Sequence, residues 1–106
     1  MAKYLWEASY GPEGAKGILK DGGTKRRQVV EAAIKGNGGK LEAFYFAFGK
    51  NDAYLIADMP DHVSVAAMAL VVNASGAVSV RTTVLLTPEE IDQASKKSVT
   101  YIPPGR

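Results

Sequence analysis

The sequence predicts an α+β fold in which two main helices lie on one face of a four-stranded antiparallel sheet. Three observations predict it. Period-two segments recur near the start, in the middle and towards the end of the chain, which is strand patterning. Stretches of helical period separate the first strand from the second and the third from the fourth. A length of 106 residues with 46% apolar and 23% charged residues supports one domain with a packed core, and excludes a two-domain enzyme or a disordered chain.

Residues 3 to 10 place Tyr4, Trp6, Ala8 and Tyr10 on one side and Lys3, Leu5, Glu7 and Ser9 on the other, the alternation of a strand. Gly11-Pro12-Glu13 forms the following turn, and Ala15 to Lys20 a short helix that Asp21-Gly22-Gly23 breaks. A second helix starts after Thr24, carried by Val29, Val30, Ala33 and Ile34, and ends at Gly36-Asn37-Gly38-Gly39, residues that tolerate a left-handed backbone. Leu41 to Phe48 and Ala53 to Asp58 make a hairpin around Gly49-Lys50-Asn51-Asp52, the first strand being rich in aromatic residues. Pro60-Asp61 caps a helix over Val63 to Asn73. That helix is apolar nearly all round and is expected to be buried on more than one side. Ala77 to Leu86 alternates again as a fourth strand. Thr87-Pro88-Glu89-Glu90 has the capping-box spacing for a closing helix over Glu89 to Lys97,.

This βαββαβ order is that of a ferredoxin-like sandwich, whose right-handed crossovers put both helices on one face. Residues 41 to 48 place Leu41, Ala43, Tyr45 and Ala47 on one side and Glu42, Phe44, Phe46 and Phe48 on the other. The face without helices is therefore expected to expose an aromatic patch. Such a patch predicts a homodimer, or a higher oligomer, formed sheet to sheet with a barrel-like interior.

The runs Lys3-Tyr4-Leu5-Trp6-Glu7-Ala8-Ser9-Tyr10, Pro12-Glu13-Gly14-Ala15-Lys16-Gly17 and Lys20-Asp21-Gly22-Gly23-Thr24 resemble the start of GYD-domain proteins. Gly38 to Gly49, Leu86-Thr87-Pro88-Glu89-Glu90, and Tyr101 with Pro103-Pro104-Gly105 extend the resemblance over nearly the whole chain. It implies a dimeric α/β barrel and no particular chemistry. Where the family carries Gly-Tyr-Asp after the second strand, this chain reads Gly49-Lys50-Asn51-Asp52, matching the aspartate and not the tyrosine.

The sharpest local signal is Lys25-Arg26-Arg27 after Gly22-Gly23-Thr24. Cations in a helix's first turn oppose the macrodipole, so the segment reads either as an anion site for a phosphate, carboxylate or acidic surface, or as a solvated basic turn. It lacks the spacing of a phosphate-binding nucleotide loop. A second constellation joins the aromatic residues Trp6, Tyr10, Tyr45 and Phe46, which suit a flat organic ligand, to polar groups on the same strands. Glu7 and Glu42 are its candidate proton-transfer residues, and Arg81 is expected opposite Glu7, either as a ligand contact or as an interface ion pair. His62 reads as a capping-turn residue, and Asp52 with Asp58 makes too small a set for calcium.

No cysteine and a single histidine exclude disulfides, thiolate metal sites and a multi-histidine centre within one chain, and no metal or other cofactor is expected. A net charge of +2 is too small for general nucleic-acid or membrane attraction. No signal-peptide pattern or membrane-length apolar run is present, and the expected location is cytoplasmic. Three function classes fit: a homo-oligomeric small-ligand binding or sensing module, a cofactor-independent oxygenase or isomerase, and an assembly-forming protein. The binding module ranks first, because neither a nucleophile nor a cofactor loop stands out.

Overall fold

The computed structural model describes Met1–Arg106. Its elements run β1 (Ala2–Tyr10), α1 (Pro12–Gly36), β2 (Lys40–Phe46), β3 (Ala53–Met59), α2 (His62–Ala74), β4 (Val78–Leu85) and α3 (Pro88–Ser95). The strands form one antiparallel sheet in the order β2-β3-β1-β4, so the chain is an α+β protein with the ferredoxin-like arrangement expected. No helix is long and apolar enough to cross a membrane.

The even-numbered residues of β1 and the odd-numbered residues of β3 face the helices. Tyr4, Trp6, Leu55, Ala57 and Met59 join Ile34, Leu41 and Val65 in the main core. Ala8, Ala53 and Val78 make a smaller one beside it. The helix break expected at Asp21-Gly22-Gly23 falls at Gly22, whose φ of 81° and ψ of 170° interrupt α1, a backbone that glycine adopts without steric cost. Both halves of α1 are longer than predicted, the first beginning at Pro12. At its far end Gly39 N–H donates to Ile34 O (2.9 Å) and Gly38 N–H to Lys35 O (3.0 Å). Gly38 has φ 84°, so α1 closes in a Schellman motif.

Two expectations need correction. In β2 the pairing shifts between Leu41, opposite Ala57, and Ala43, opposite Ile56, so a bulge inserts one extra residue and reverses the parity of the strand. Leu41, Phe44 and Phe46 consequently share the helix-covered face, while Ala43 and Tyr45 take the other. Phe44 and Phe46 meet edge to face there, their ring centroids 5.1 Å apart. The open face is therefore not an aromatic patch, Tyr45 being its one exposed aromatic from β2. The second correction concerns α2, which buries only Val65 fully and leaves Val63, Leu70 and Val71 exposed. Only one side of that helix rests on the sheet.

Asp61 caps α2 by accepting a hydrogen bond from Ser64 N (2.7 Å). Hydrogen bonds from Ser64 hold its carboxyl below the usual carboxylate range. A lowered pKa means that the cap's contribution is present above the ordinary carboxylate pKa and is lost as pH falls through the folded value. Asp61→Ala is expected to lower Tm by a few degrees at neutral pH and by less in acid. Asp61→Asn, which keeps the acceptor, is expected to retain most of the stability. Thermal melts of the three proteins across pH 2–6 check this, and equal losses for Ala and Asn would contradict it.

Candidate functional site

Between the sheet and the two long helices lies a cavity of about 50 Å³. Trp6, Ala8 and Tyr10 of β1 form its floor with Phe44 and Leu55, and Val30 of α1 with Met68 and Val72 of α2 form its roof. These walls follow from the strand alternation above and from the apolar side of each helix. One charged side chain enters the lining, Arg26. Its Nε is buried without a hydrogen-bond partner, although the side chain as a whole is half-buried, an uncommon state for a buried donor.

Arg26 and Tyr10 also border a second cavity of about 210 Å³, beneath the kink of α1, where Lys25, Asp21 and Glu13 contribute charge. Glu13 is offset by Lys16 at 3.6 Å. Gly17 and Gly22 line this cavity, and a Cβ at either would meet nothing within 4 Å, so the backbone keeps the space wide. The two cavities share Tyr10 and Arg26 as a common wall, with an apolar chamber on one side and a charged one on the other.

The basic run does not converge on one point. Lys25 and Arg26 border the charged chamber, whereas Arg27 lines a separate surface hollow with Thr24 and Phe46. Among the aromatic candidates, Trp6 and Tyr10 meet at the cavity. Phe46 reaches Tyr10 with ring centroids 6.4 Å apart but lies outside the apolar chamber. Tyr45 stands on the opposite face of the sheet.

Glu7, Glu42 and Arg81 are also on that open face. Glu7 is the register partner of Arg81 in β4 and of Tyr54 in β3. Its carboxylate accepts from Asn51 Nδ2 (2.7 Å) and makes no ion pair with Arg81. Glu42 pairs with Lys3 (2.8 Å), which also pairs with Asp58 (3.0 Å). Hydrogen bonds to Glu42 first and Asp58 second raise the Lys3 pKa. That contribution is complete below the ordinary lysine pKa and is lost as pH rises through the raised value, so the triad persists through neutral pH. The sheet stands between these carboxylates and the Trp6 cavity, and a ligand lodged against Trp6 does not reach Glu7 or Glu42.

Sequence reasoning missed Asn51, which it took for a turn residue. Asn51 is the one buried polar side chain. Besides Glu7 it donates to Tyr54 Oη (3.3 Å) and accepts from Ser9 Oγ (3.3 Å). Neighbouring Asp52 accepts from Tyr10 N (2.8 Å), so the β2–β3 turn clamps the end of β1. An asparagine in a turn carries no sequence mark that separates a backbone role from a buried one.

On the open face the registers align Thr83, Leu5, Ile56 and Ala43 across all four strands. This apolar stripe runs between the Lys3 triad and the row of Arg81, Glu7, Tyr54 and Tyr45.

A family model described as the GYD domain matches residues 4–95. No curated protein and no solved structure matches the chain significantly.

Proposed function

The chain belongs to the GYD-domain family, and on that premise we propose that it is a homo-oligomeric module that binds a small organic anion in the paired cavities. The observation that carries this reading is the partnerless, buried Nε of Arg26 in an otherwise apolar wall. That one donor is satisfied by an acceptor arriving from outside, and a planar carboxylate suits the guanidinium's fork of donors. The apolar chamber sets the rest of the ligand. At about 50 Å³, against roughly 10–15 Å³ of the same kind of space for one water, it takes a short alkyl group. The charged chamber, where Lys25 and Arg26 stand with Asp21 and Glu13, holds the head through Arg26. A short-chain, branched carboxylate fits both.

Calorimetry with isovalerate and butyrate, with acetate and inorganic phosphate as controls, tests this. The branched acid is expected to bind best and to change the emission of Trp6, the sole tryptophan, which lines the chamber. Arg26→Met removes a charge-assisted contact of about 2 kcal/mol, a loss of roughly thirty-fold in affinity. Equal binding by Arg26→Met, or no binding by any of the acids, would overturn the reading. Phosphate binding as tightly as isovalerate would assign the site to inorganic anions instead.

The oligomer follows from the open face. Its apolar stripe has no helix over it, and a second sheet laid on it would bury Leu5 and Ile56 between flanking charged rows. Sedimentation showing a stable monomer at micromolar concentration would exclude this part of the proposal without touching the ligand site.

A further inference from the structure

The chain beyond β4 does not rest on the body. Residues 88–102 are exposed throughout, and α3 buries none of its residues. The molecule extends 57 × 32 × 23 Å with a radius of gyration of 16.9 Å, against about 13 Å for a compact chain of this length. The excess is the arm.

The arm is nevertheless built to hold a shape. Thr87 Oγ1 accepts from Glu90 N (3.1 Å) and Glu90 Oε1 from Thr87 N (2.9 Å), closing a capping box with Pro88 at the first helical position. This cap sets the angle at which α3 leaves β4 and directs it away from its own sheet. Along its length the arm shows Ile91, Val99, Tyr101 and Ile102 to solvent. An eight-residue helix is not stable alone in water and needs a surface against its apolar side.

We infer that this segment is an exchange arm, docking on the β4 margin of a second copy of the chain. β4 is an edge strand, the kind of edge that proteins cover, and on its outward row Val80 N donates to Asn73 Oδ1 of α2 (2.8 Å). Arg81, Thr83 and Val84 on it are exposed. Arg81 has no acidic partner within 4 Å, while Glu89 and Asp92 on α3 have no basic one. The arm springs directly from the end of β4, so a two-fold axis beside that strand lays each arm along the other copy's edge, and the contact is self-complementary as closed dimers require. This inference stands on the arm and the edge strand, is independent of what occupies the cavity, and places the two-fold axis at the β4 margin whether or not the open faces also pair.

The absence of cysteine allows a direct test in the full chain. Two single-cysteine variants, Thr83→Cys and Ile91→Cys, one bearing a mass tag, are mixed and oxidised. Neither can close a bond within one chain. The expected product is the mixed disulfide, in large excess over either homodimer. No disulfide, or products in random proportion, would overturn the proposal. Ile91→Asp, at an exposed position that spares the core, is expected to weaken self-association at least ten-fold by sedimentation while leaving the emission of Trp6, which lies in the core away from α3, unchanged. An unaltered dissociation constant counts against the arm. Protection of the α3 amides from hydrogen exchange at nanomolar concentration would show the arm seated on its own body, and would likewise overturn exchange.

Discussion

Trp6→Ala is expected to lower stability by about 4 kcal/mol, within the range seen when a buried tryptophan is truncated. Trp6 sits near the centre of β1, buried in the main core, and shares the floor of the apolar chamber with Phe44 and Leu55. Its indole meets both the β3 side chains and the helices, so removal joins the existing chamber to a much larger void that neighbouring backbone cannot fill. For a chain of this size the fall in Tm is on the order of 20 °C. Trp6→Phe keeps most of the volume and is expected to lose less than half as much. Urea melts of both variants check the ranking. Equal losses would show that the indole's outer ring packs against nothing of consequence.

Gly39→Ala is expected to cost about 3 kcal/mol, at the upper end of overpacking effects, although it adds one methyl group. Gly39 lies between the Schellman turn of α1 and the first residue of β2. A Cβ there would collide with Met59 Sδ, stand 2.7 Å from Asp58 O and 3.1 Å from Ile34 Cγ2. Ile34 and Met59 are the largest fully buried side chains, and the Asp58 carbonyl belongs to a paired strand, so none of the three can yield cheaply. The added methyl pushes β2 away from β3 at the point where α1 is anchored. Gly17→Ala, where a Cβ meets open space, is the control and is expected to be neutral or slightly stabilising through helix propensity. Thermal denaturation separates the two, and a small loss at Gly39 would mean that the hairpin slides freely.

Where the sequence was legible, local chemistry and global packing agreed. Residues 3 to 10 alternate because β1 is a central strand with one face against the helices. Pro12, Gly22, Asp61 and the Thr87 capping box sit where their backbone preferences place them. The parity of β2 was not legible. A bulge is set by pairing with β3, and the residues at 41 to 46 read equally well on either face until Leu41 is opposed to Ala57. That one shift turned Phe44 and Phe46 to the helix side of the sheet, where Phe46 stays exposed, and emptied the supposed aromatic face. The site was legible to the same degree. Trp6, Tyr10 and Arg26 could be singled out as types suited to a ligand, and they do meet. Their separation from Glu7, Glu42, Tyr45 and Arg81 depends on which side of a sheet each strand presents, and Asn51 is buried only because side chains of β1 and β3 converge on its turn. The exposure of α2 has the same cause. An apolar helix advertises a need for cover without saying how many surfaces supply it.

The bulge in β2 also bears on how relatives of this chain should be aligned. With the extra residue at Glu42, every position from Ala43 to Phe46 is out of step with a regular strand, so a family member lacking one residue there carries its inward-facing side chains in the columns that point outward here. Column-by-column comparison across that gap would pair Phe44 with solvent-facing residues and would misassign part of the cavity wall. Counting back from the Asp52 turn, rather than forward from Gly39, keeps equivalent side chains together.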